Sequence, residues 1–366
     1  MMERRQIVRL WRQGGASVLV TLVRAEGSSY RRPGARLLLT SGGEYAGTIS
    51  GGCLETEVIR KAAWMVREGA KVERYSTMFD DTAEVPFGLG CGGVVDLLLE
   101  PADTLEFAAL MKAMQEALAG TSAVVVTWLP AEGRALRRVV LVDGEVIFAS
   151  EGLGEKKLQC AKGLRADETY EGRFVEDLHA PQRLFVLGAG DDAKPLVNMA
   201  SLLGWSVVVA DGRQQLAKAE RFPAAERVIA AEVSELGIRR SDAVIVMTHS
   251  YQQDREMLTA LLPLVPRYLG VLGARHRSSL LVDEAAAKIG LSVAECCGRI
   301  HAPVGLDLGG DGPEAIALAV LAEAQAVCQG KLGASRRLTA EDVARYVREG
   351  GATQYLQTQC ASDASL

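Results

Sequence analysis

The chain has 366 residues, more than one ordinary domain holds, which predicts two or three domains. Hydrophobic residues make up 48% and charged residues 24%, a balance that excludes a disordered chain. The net charge of −5 and the lack of a Lys/Arg block argue against nucleic-acid or membrane binding. The lack of an apolar signal-peptide core predicts a cytoplasmic protein, in which the cysteines are reduced.

The first part of the chain predicts an α+β domain, which we place at residues 1–178. Apolar residues at helical spacing indicate helices near the N-terminus, after the segment SGGC, and from Asp103 to Leu118. Apolar runs between them predict strands, some of which are joined by tight turns at Gly42-Gly43 and Asp143-Gly144. Because such turns join antiparallel neighbours, a mixed or antiparallel sheet is expected. The polar segment from Gly152 to Glu171 is expected to be a surface loop.

The pattern changes to alternating strands and helices over residues 179–332. Apolar segments such as LFVLGAG, WSVVVADGR, DAVIVMTHS and YLGVLGA are separated by helical segments. This alternation predicts a Rossmann-like, doubly wound parallel sheet, and so an α/β protein overall. Residues 333–366 are expected to form a capped helix that begins near Thr339, followed by a tail.

A nucleotide-binding signature opens the second domain. Gly188-Ala189-Gly190-Asp191-Asp192-Ala193 follows an apolar strand and precedes a helix. Gly188 would permit the tight turn, Gly190 would let a phosphate approach the helix N-terminus, and Asp211 at the end of the next strand would bind a ribose diol. However, Asp191 and Asp192 place two carboxylates where a diphosphate would dock. The alternative is that these acids stabilise the helix end and that no dinucleotide binds.

Two glycine-rich loops in the first domain each contain a cysteine. Ser50-Gly51-Gly52-Cys53 lies between a strand and a helix, where the helix dipole favours a thiolate. Gly90-Cys91 lies in the run GLGCGG, whose backbone N–H groups a ligand can approach. Two soft thiolates on one pocket would suit a soft metal or a sulfur-transfer step. The alternative is that both cysteines are small packing residues beside turn glycines.

Three further polar residues are candidates for ligand binding. His249 follows an apolar strand at its carboxyl end, where α/β sheets bind ligands, although its ring could simply cap the strand. Arg275, close to Arg277, could pair with a phosphate or could be a solvated surface residue. His301 precedes a glycine-rich loop that could bind an anion, in which Asp311 and Pro313 would instead form an ordinary helix start.

Together these segments resemble the XdhC/CoxI family of molybdenum-cofactor maturation factors for xanthine dehydrogenase and its relatives. The matching pieces in the first domain are GSSYRRPGARLLLT, GTISGGCLETEV and GLGCGG. Those in the second are LFVLGAG, VVVADGR, RFPAAERVI, AVIVMTHS, YLGVLGARHR and RIHAPVGLDLGGDGPEAIALAVLAE. The resemblance implies a protein that binds molybdopterin, holds it during sulfuration by a cysteine desulfurase, and delivers it to an apo molybdenum hydroxylase.

The resemblance also implies roles for individual residues. Cys53 and Cys91 would handle the cofactor or its sulfur and are candidate ligands of molybdenum. The cofactor-binding set would comprise Ser50, Gly51, Gly52, Gly90, Gly188, Gly190, Asp191, Asp211, His249, Arg275 and His301. One departure is that many family members have His where this chain has Asp191, which leaves the ligand of the Rossmann site and the client enzyme open.

Three functions follow from these patterns. The leading hypothesis is a homodimeric cofactor-handling and insertion factor without clear turnover, in which Gly190 and Cys53 lie across one cleft. The first alternative is an NAD(P)-dependent oxidoreductase with Cys53 as a catalytic thiol, although no convincing hydride-transfer acid/base set is evident. The second is a regulatory protein that senses a nucleotide and oligomerises through its first domain.

Overall fold

The computed structural model describes residues 1–27, 29–52, 54–76, 94–164, 172–331, 337 and 339–350. The chain divides into two compact units. The N-terminal unit comprises the described residues of 3–180 and the C-terminal helix. The second unit comprises Met1–Met2 and residues 181–331. No helix in the described ranges is long and apolar enough to cross a membrane.

The helices and strands of the described ranges are α1 Met2–Gln13, β1 Ala16–Glu26, β2 Arg36–Thr40, β3 Tyr45–Gly47, α2 Glu55–Met65, β4 Lys71–Ser76, β5 Val94–Pro101, α3 Leu105–Leu118, β6 Ala123–Trp128, β7 Arg137–Val142, β8 Glu145–Ala149, α4 Glu155–Lys162, β9 Arg173–Leu178, β10 Arg183–Leu187, α5 Ala193–Leu202, β11 Ser206–Ala210, β12 Arg227–Ile229, β13 Ala243–Val246, α6 Tyr251–Leu261, β14 Tyr268–Val271, α7 Arg275–Ile289, α8 Val293–Cys297, α9 Pro313–Cys328 and α10 Ala340–Gly350.

The N-terminal unit contains two antiparallel sheets, as the tight turns predict. One has the strand order β3-β2-β1-β5-β4, and the other has the order β8-β7-β6-β9. Apolar residues of α1 and α3 share one core with residues from both sheets, while α2 packs on the opposite face of the first sheet. The structure therefore confirms an α+β fold for the described part of this unit.

A buried ion pair ties the two sheets together. Arg138 of β7 is 2% exposed, and its Nη1 and Nη2 donate to the carboxylate of Glu100 in β5 at 2.9 and 3.2 Å. Arg138 also donates to the hydroxyl of Thr127 at 3.1 Å and to the carbonyl of Glu106 at 2.7 Å. These bonds to neutral acceptors offset the cost of removing the guanidinium from water.

The prediction of a surface loop from Gly152 to Glu171 is wrong in part, because α4 lies within it. Leu158 and Ala161 pack on the second sheet, and Ala161 is 1% exposed. Two apolar residues three positions apart give too weak a periodicity to be recognised in a polar segment, and packing against the sheet stabilises the helix.

The second unit is a parallel sheet with the strand order β12-β11-β10-β13-β14. Helices α5 and α9 share the core on one face, and α6 and α7 share the core on the other. This is the doubly wound, Rossmann-like fold that the alternating pattern predicts. The strand order reverses between β10 and β13, and such a topological switch point is where open α/β sheets bind their ligands.

The start of α9 differs from its predicted form. Gly312, with φ +92°, is the residue before the helix, and Pro313 is its first residue, so Asp311 does not cap it. Glycine takes this positive-φ conformation without steric cost, and Pro313, at the first helical position, has no N–H that would be left unpaired.

Candidate functional site

The carboxyl ends of the neighbouring parallel strands β10 and β13 meet at the switch point of the sheet. The turn after β10 carries Gly188, whose φ is +122°, and a Cβ there would lie 2.6 Å from the carbonyl carbon of Met247, just after β13. Only glycine fits this close approach of two backbones. Gly188 thus has the tight-turn role that the signature predicts.

The space above Gly190 is filled by side chains of the same chain. A Cβ on Gly190 would overlap Asp192 Oδ1 and lie 3.9 Å from His249 Cδ2. His249 Nε2 lies 2.8 Å from Asp192 Oδ2, so this pair joins the turn after β10 to the turn after β13. In this arrangement the residues do not fit a dinucleotide diphosphate, which would need this space and would meet the Asp192 carboxylate.

Asp191 projects into solvent but is paired. Its side chain is 80% exposed, and its Oδ1 accepts from Lys194 at 2.7 Å and from Arg221 at 2.9 Å. The hydrogen bond from Lys194, followed by that from Arg221, holds the pKa of Asp191 below its usual value. Arg221 also donates to the carbonyl of Ala189 at 2.6 Å, which braces the glycine turn. The two basic partners offset the negative charge that the sequence places in this turn.

Asp211, predicted to bind a ribose, is 2% exposed and fully engaged within the unit. Its carboxylate accepts from the N–H of Ala189 at 2.8 Å, and from the N–H, Nε and Nη2 of Arg213 at 2.9, 2.9 and 2.8 Å. Burial alone would raise the pKa of Asp211, but the bonds from Arg213 and Ala189 outweigh it and lower the pKa. A ribose diol would have to displace Arg213.

Arg275 and His301, the remaining predicted ligand-binding residues of this unit, lie at different places relative to the sheet. Arg275 is exposed and is the first residue of α7, in the turn that follows β14. His301 lies beside the middle of β14, where its N–H donates to the carbonyl of Leu269 at 2.8 Å. Its ring stacks on Tyr268 with centroids 4.7 Å apart, and its Nδ1 is 3.4 Å from Glu323 of α9. These contacts give His301 a packing role, and its predicted role in cofactor binding stays a prediction.

In the N-terminal unit, a buried carboxylate organises the turn Ser50-Gly51-Gly52. Glu55, 8% exposed, accepts from the N–H groups of Ile49 and Ser50 at 3.0 and 2.8 Å and from the hydroxyls of Thr48 and Ser50. Burial by itself would raise the pKa of Glu55, but the bonds from Ser50 and Thr48 outweigh it and lower the pKa. Sequence reasoning missed Glu55, because a first-turn acid is an ordinary feature of helices.

The turn itself is open to solvent. Gly51 and Gly52 are exposed, Gly52 has φ +110°, and no atom lies within 4 Å of the position a Cβ would take on Gly52. The ring of Tyr30, itself 75% exposed, lies 3.6 Å from the corresponding position on Gly51. A ligand can therefore reach the backbone of this turn beside an aromatic ring.

Cys53, Gly90 and Cys91 lie outside the described residues. α2 begins at Glu55, two residues after Cys53. Within the described ranges, no group of three or more His, Cys, Asp or Glu residues could hold a metal ion. The roles predicted for the two cysteines stay predictions.

The fold and these turns define a two-unit protein with a Rossmann-like second unit. Two family models match it: one described as the XdhC Rossmann domain at residues 184–324, and one described as the XdhC and CoxI family at residues 10–76. The chain belongs to the XdhC/CoxI family, as the sequence resemblance predicts.

Known relatives match both units. A protein of Bacillus subtilis that is named as a probable xanthine dehydrogenase subunit is 28% identical, covering 84% of this chain and 92% of the relative. The molybdenum cofactor insertion chaperone PaoD of Escherichia coli is 26% identical, covering 86% of this chain and 84% of the chaperone. A crystal structure from Bacillus halodurans, described as a xanthine dehydrogenase, is 30% identical with a TM-score of 0.77, covering 94% of this chain and 99% of that one.

Proposed function

We propose that the chain binds the molybdenum cofactor and inserts it into a xanthine dehydrogenase-type molybdoenzyme. The observation that carries the proposal is the match, across most of both chains, to a relative named as a molybdenum cofactor insertion chaperone. A second relative, similar over 92% of its length, is named as a probable subunit of xanthine dehydrogenase. The apo molybdoenzyme is therefore the partner we propose.

The cofactor contacts we propose in the N-terminal unit lie on the Ser50-Gly51-Gly52 turn. The turn is preorganised, because Glu55 accepts from the N–H groups of Ile49 and Ser50, and it is open, because both glycines are exposed. Molybdopterin carries a dithiolene, a pterin and a phosphate, so the exposed backbone of Gly51 and Gly52 suits its polar parts. Cys53 and Cys91, with Gly90 beside the latter, would supply soft sulfur ligands for molybdenum.

Two further partners belong to the proposal. A cysteine desulfurase would sulfurate the cofactor while this chain holds it, as the family resemblance implies. A second copy of the chain would form a homodimer and help to shield the labile cargo.

The NAD(P)-dependent oxidoreductase is not favoured by the geometry of the Rossmann-like unit. Asp192 and His249 fill the space above Gly190. The guanidinium of Arg213 donates to both carboxylate oxygens of Asp211, which a ribose would need. Adding NADH or NADPH to the pure protein separates the two functions. The oxidoreductase predicts tight binding with substrate-dependent oxidation, whereas the insertion factor predicts none.

The experiment that tests the proposal is anaerobic reconstitution of a cofactor-free xanthine dehydrogenase-type enzyme. Cofactor is added with and without the full chain, and substrate oxidation by the reconstituted enzyme is measured. We expect the chain to increase the activity recovered. Equal recovery with and without the chain would contradict an insertion role.

A matched pair of glycine variants locates the effect. Gly52 and Gly120 have nearly the same φ, +110° and +111°, and a Cβ on either would meet no atom within 4 Å. Gly52→Ala and Gly120→Ala therefore carry similar backbone strain. We expect only Gly52→Ala to lower the recovered activity. A similar loss in both variants would argue against a cofactor-binding role for the Ser50-Gly51-Gly52 turn.

A further inference from the structure

The outward face of α2 carries an exposed aromatic side chain close in sequence to the Ser50-Gly51-Gly52 turn. Trp64 is 62% exposed, although burial of so large an apolar side chain is strongly favourable. Of the Trp, Tyr and Phe residues that the structure describes, the other exposed ones are Tyr30 and Tyr45. Because Tyr30 lies at the turn itself, two of the three exposed rings flank the segment from the turn to the end of α2.

Trp64 belongs to a continuous row of exposed residues, which we call the α2 stripe. Its members follow one another at helical spacing and reach the turn after the helix: Thr56, Arg60, Ala63, Trp64 and Arg67. The opposite face of α2, with Val58 and Ala62, packs on the first sheet. Since this packing fixes the helix, the α2 stripe is presented to solvent on a rigid element.

Positive charge is exposed on the α2 stripe, whereas the carboxylate that pairs with it is buried. The side chain of Arg60 is 70% exposed, and its Nη2 donates to Glu57 Oε2 at 2.9 Å. Glu57 is buried and is shared with Lys61. A protein that contacts the stripe therefore meets the cations before the carboxylate, so acidic groups on that protein are the complementary chemistry.

Arg67 adds a second guanidinium and restricts the tryptophan ring. Its Cζ lies 4.5 Å from the centroid of the Trp64 ring, which is a cation–π arrangement. Its Nε lies 3.7 Å from the exposed carboxylate of Glu68, too far for a hydrogen bond. Arg67 therefore keeps donors for a partner, and a ring that is already held in place loses less entropy on binding.

These residue types are those of a protein interface. Trp, Tyr and Arg are enriched at the few positions that contribute most of the binding energy between proteins. The α2 stripe and Tyr30 combine all three types, whereas Lys and Glu are typical of the remaining surface. The complementary surface is an apolar cleft that takes the Trp64 ring and is bordered by carboxylates.

The position of the α2 stripe indicates which partner it fits. The stripe begins at Thr56, four residues after Gly52, and Tyr30 lies at the turn. A labile cofactor held at this turn reaches its acceptor without crossing solvent only if the acceptor docks beside the turn. We propose that the α2 stripe and Tyr30 form the docking surface for the apo molybdoenzyme. The identity of this partner rests on the proposed function, whereas the docking surface can be tested without cofactor.

Binding of the cofactor-free full chain to the apo molybdoenzyme, measured by titration calorimetry, tests the docking surface. We expect Trp64→Ala to weaken the complex about tenfold or more, and Arg60→Ala and Arg67→Ala about threefold to tenfold each. Tyr45→Ala is the matched control, because it removes a ring that is 58% exposed and lies on β3, away from the stripe. Equal affinity of Trp64→Ala and wild type, or no binding by wild type, would overturn the proposal.

Two further measurements identify the chemistry and exclude misfolding. Since all three substituted side chains are exposed, each variant should keep the urea midpoint of wild type. Added salt should weaken the wild-type complex more than that of the Arg60→Ala/Arg67→Ala double variant. An equal salt dependence would contradict recognition of acidic groups.

The reconstitution assay separates docking from cofactor binding. At low concentration Trp64→Ala should restore less enzyme activity than wild type does, and a higher concentration should remove the difference. Titration of the same variant with cofactor alone should match wild type, and a loss of cofactor binding would overturn the docking role.

The other possible occupants are a cysteine desulfurase and a second copy of the chain. If Trp64→Ala weakened desulfurase binding or changed the mass of the chain in solution, but left apo-enzyme affinity unchanged, the proposal would be overturned. If wild type docks through the α2 stripe but neither binds nor inserts cofactor, the proposed function fails and the docking surface stands.

Discussion

His249 has φ +61°, in the left-handed region, and this conformation predicts an unusual ranking of two substitutions. In both His249→Gly and His249→Ala, the contact with Asp192 is lost, so its contribution cancels when the variants are compared. For an L-residue the left-handed conformation costs about 1–2 kcal/mol, which glycine avoids. Glycine also gives the unfolded chain more entropy, which costs about 0.4–1 kcal/mol relative to alanine. At the midpoints of these two ranges the balance favours glycine by about 0.8 kcal/mol.

Equilibrium urea unfolding of both variants at one pH measures this difference directly. We expect the free energy of unfolding to be higher for His249→Gly. An alanine variant as stable as the glycine variant, or more stable, would refute a strained backbone at His249.

Three other predictions concern the glycine turn, the Ser50-Gly51-Gly52 turn and the core. Gly188→Ala should destabilise the second unit by about 2–4 kcal/mol in urea unfolding, because the new Cβ would overlap the backbone of Met247. Gly190→Ala should leave the free energy of unfolding closer to that of wild type, because its Cβ would mainly displace the side chain of Asp192. Glu55→Gln should cost about 2 kcal/mol at pH 7. Since the pKa of Glu55 is lowered in the folded state, this deficit should shrink as the pH falls through that pKa; a deficit that grows with acid would contradict the assignment. Arg138→Met leaves a buried carboxylate unpaired and should cost about 3–5 kcal/mol, and an unchanged urea midpoint would contradict the structural role of the pair.

Much of the fold is predictable because it repeats local patterns. Alternating apolar strands and helices predict the parallel sheet, and tight turns such as Asp143-Gly144, with φ +50° and +79°, predict antiparallel strands. The helix α4 is not predictable in this way. Its stability comes from packing against a sheet whose position a local pattern does not contain.

The candidate site is less predictable, because its contacts join residues distant in sequence. Asp192 and His249 are 57 residues apart, and the reversal of strand order at the switch point brings them together. The sequence shows two acids in the glycine turn but not the basic partners, Lys194 and Arg221, that neutralise Asp191. Likewise, Asp211 has the position of a ribose ligand, whereas its bonds to Arg213 depend on side-chain geometry.

Equilibrium titration of the full chain with molybdenum cofactor under anaerobic conditions decides whether this protein is a cofactor carrier. We predict that wild type binds the cofactor and that Cys53→Ala and Cys91→Ala each weaken binding about tenfold or more. Cys160→Ala, which removes an exposed cysteine remote in sequence from both loops, should bind as wild type does. Absence of binding by wild type, or equal binding by all four proteins, would contradict cofactor binding through these two cysteines.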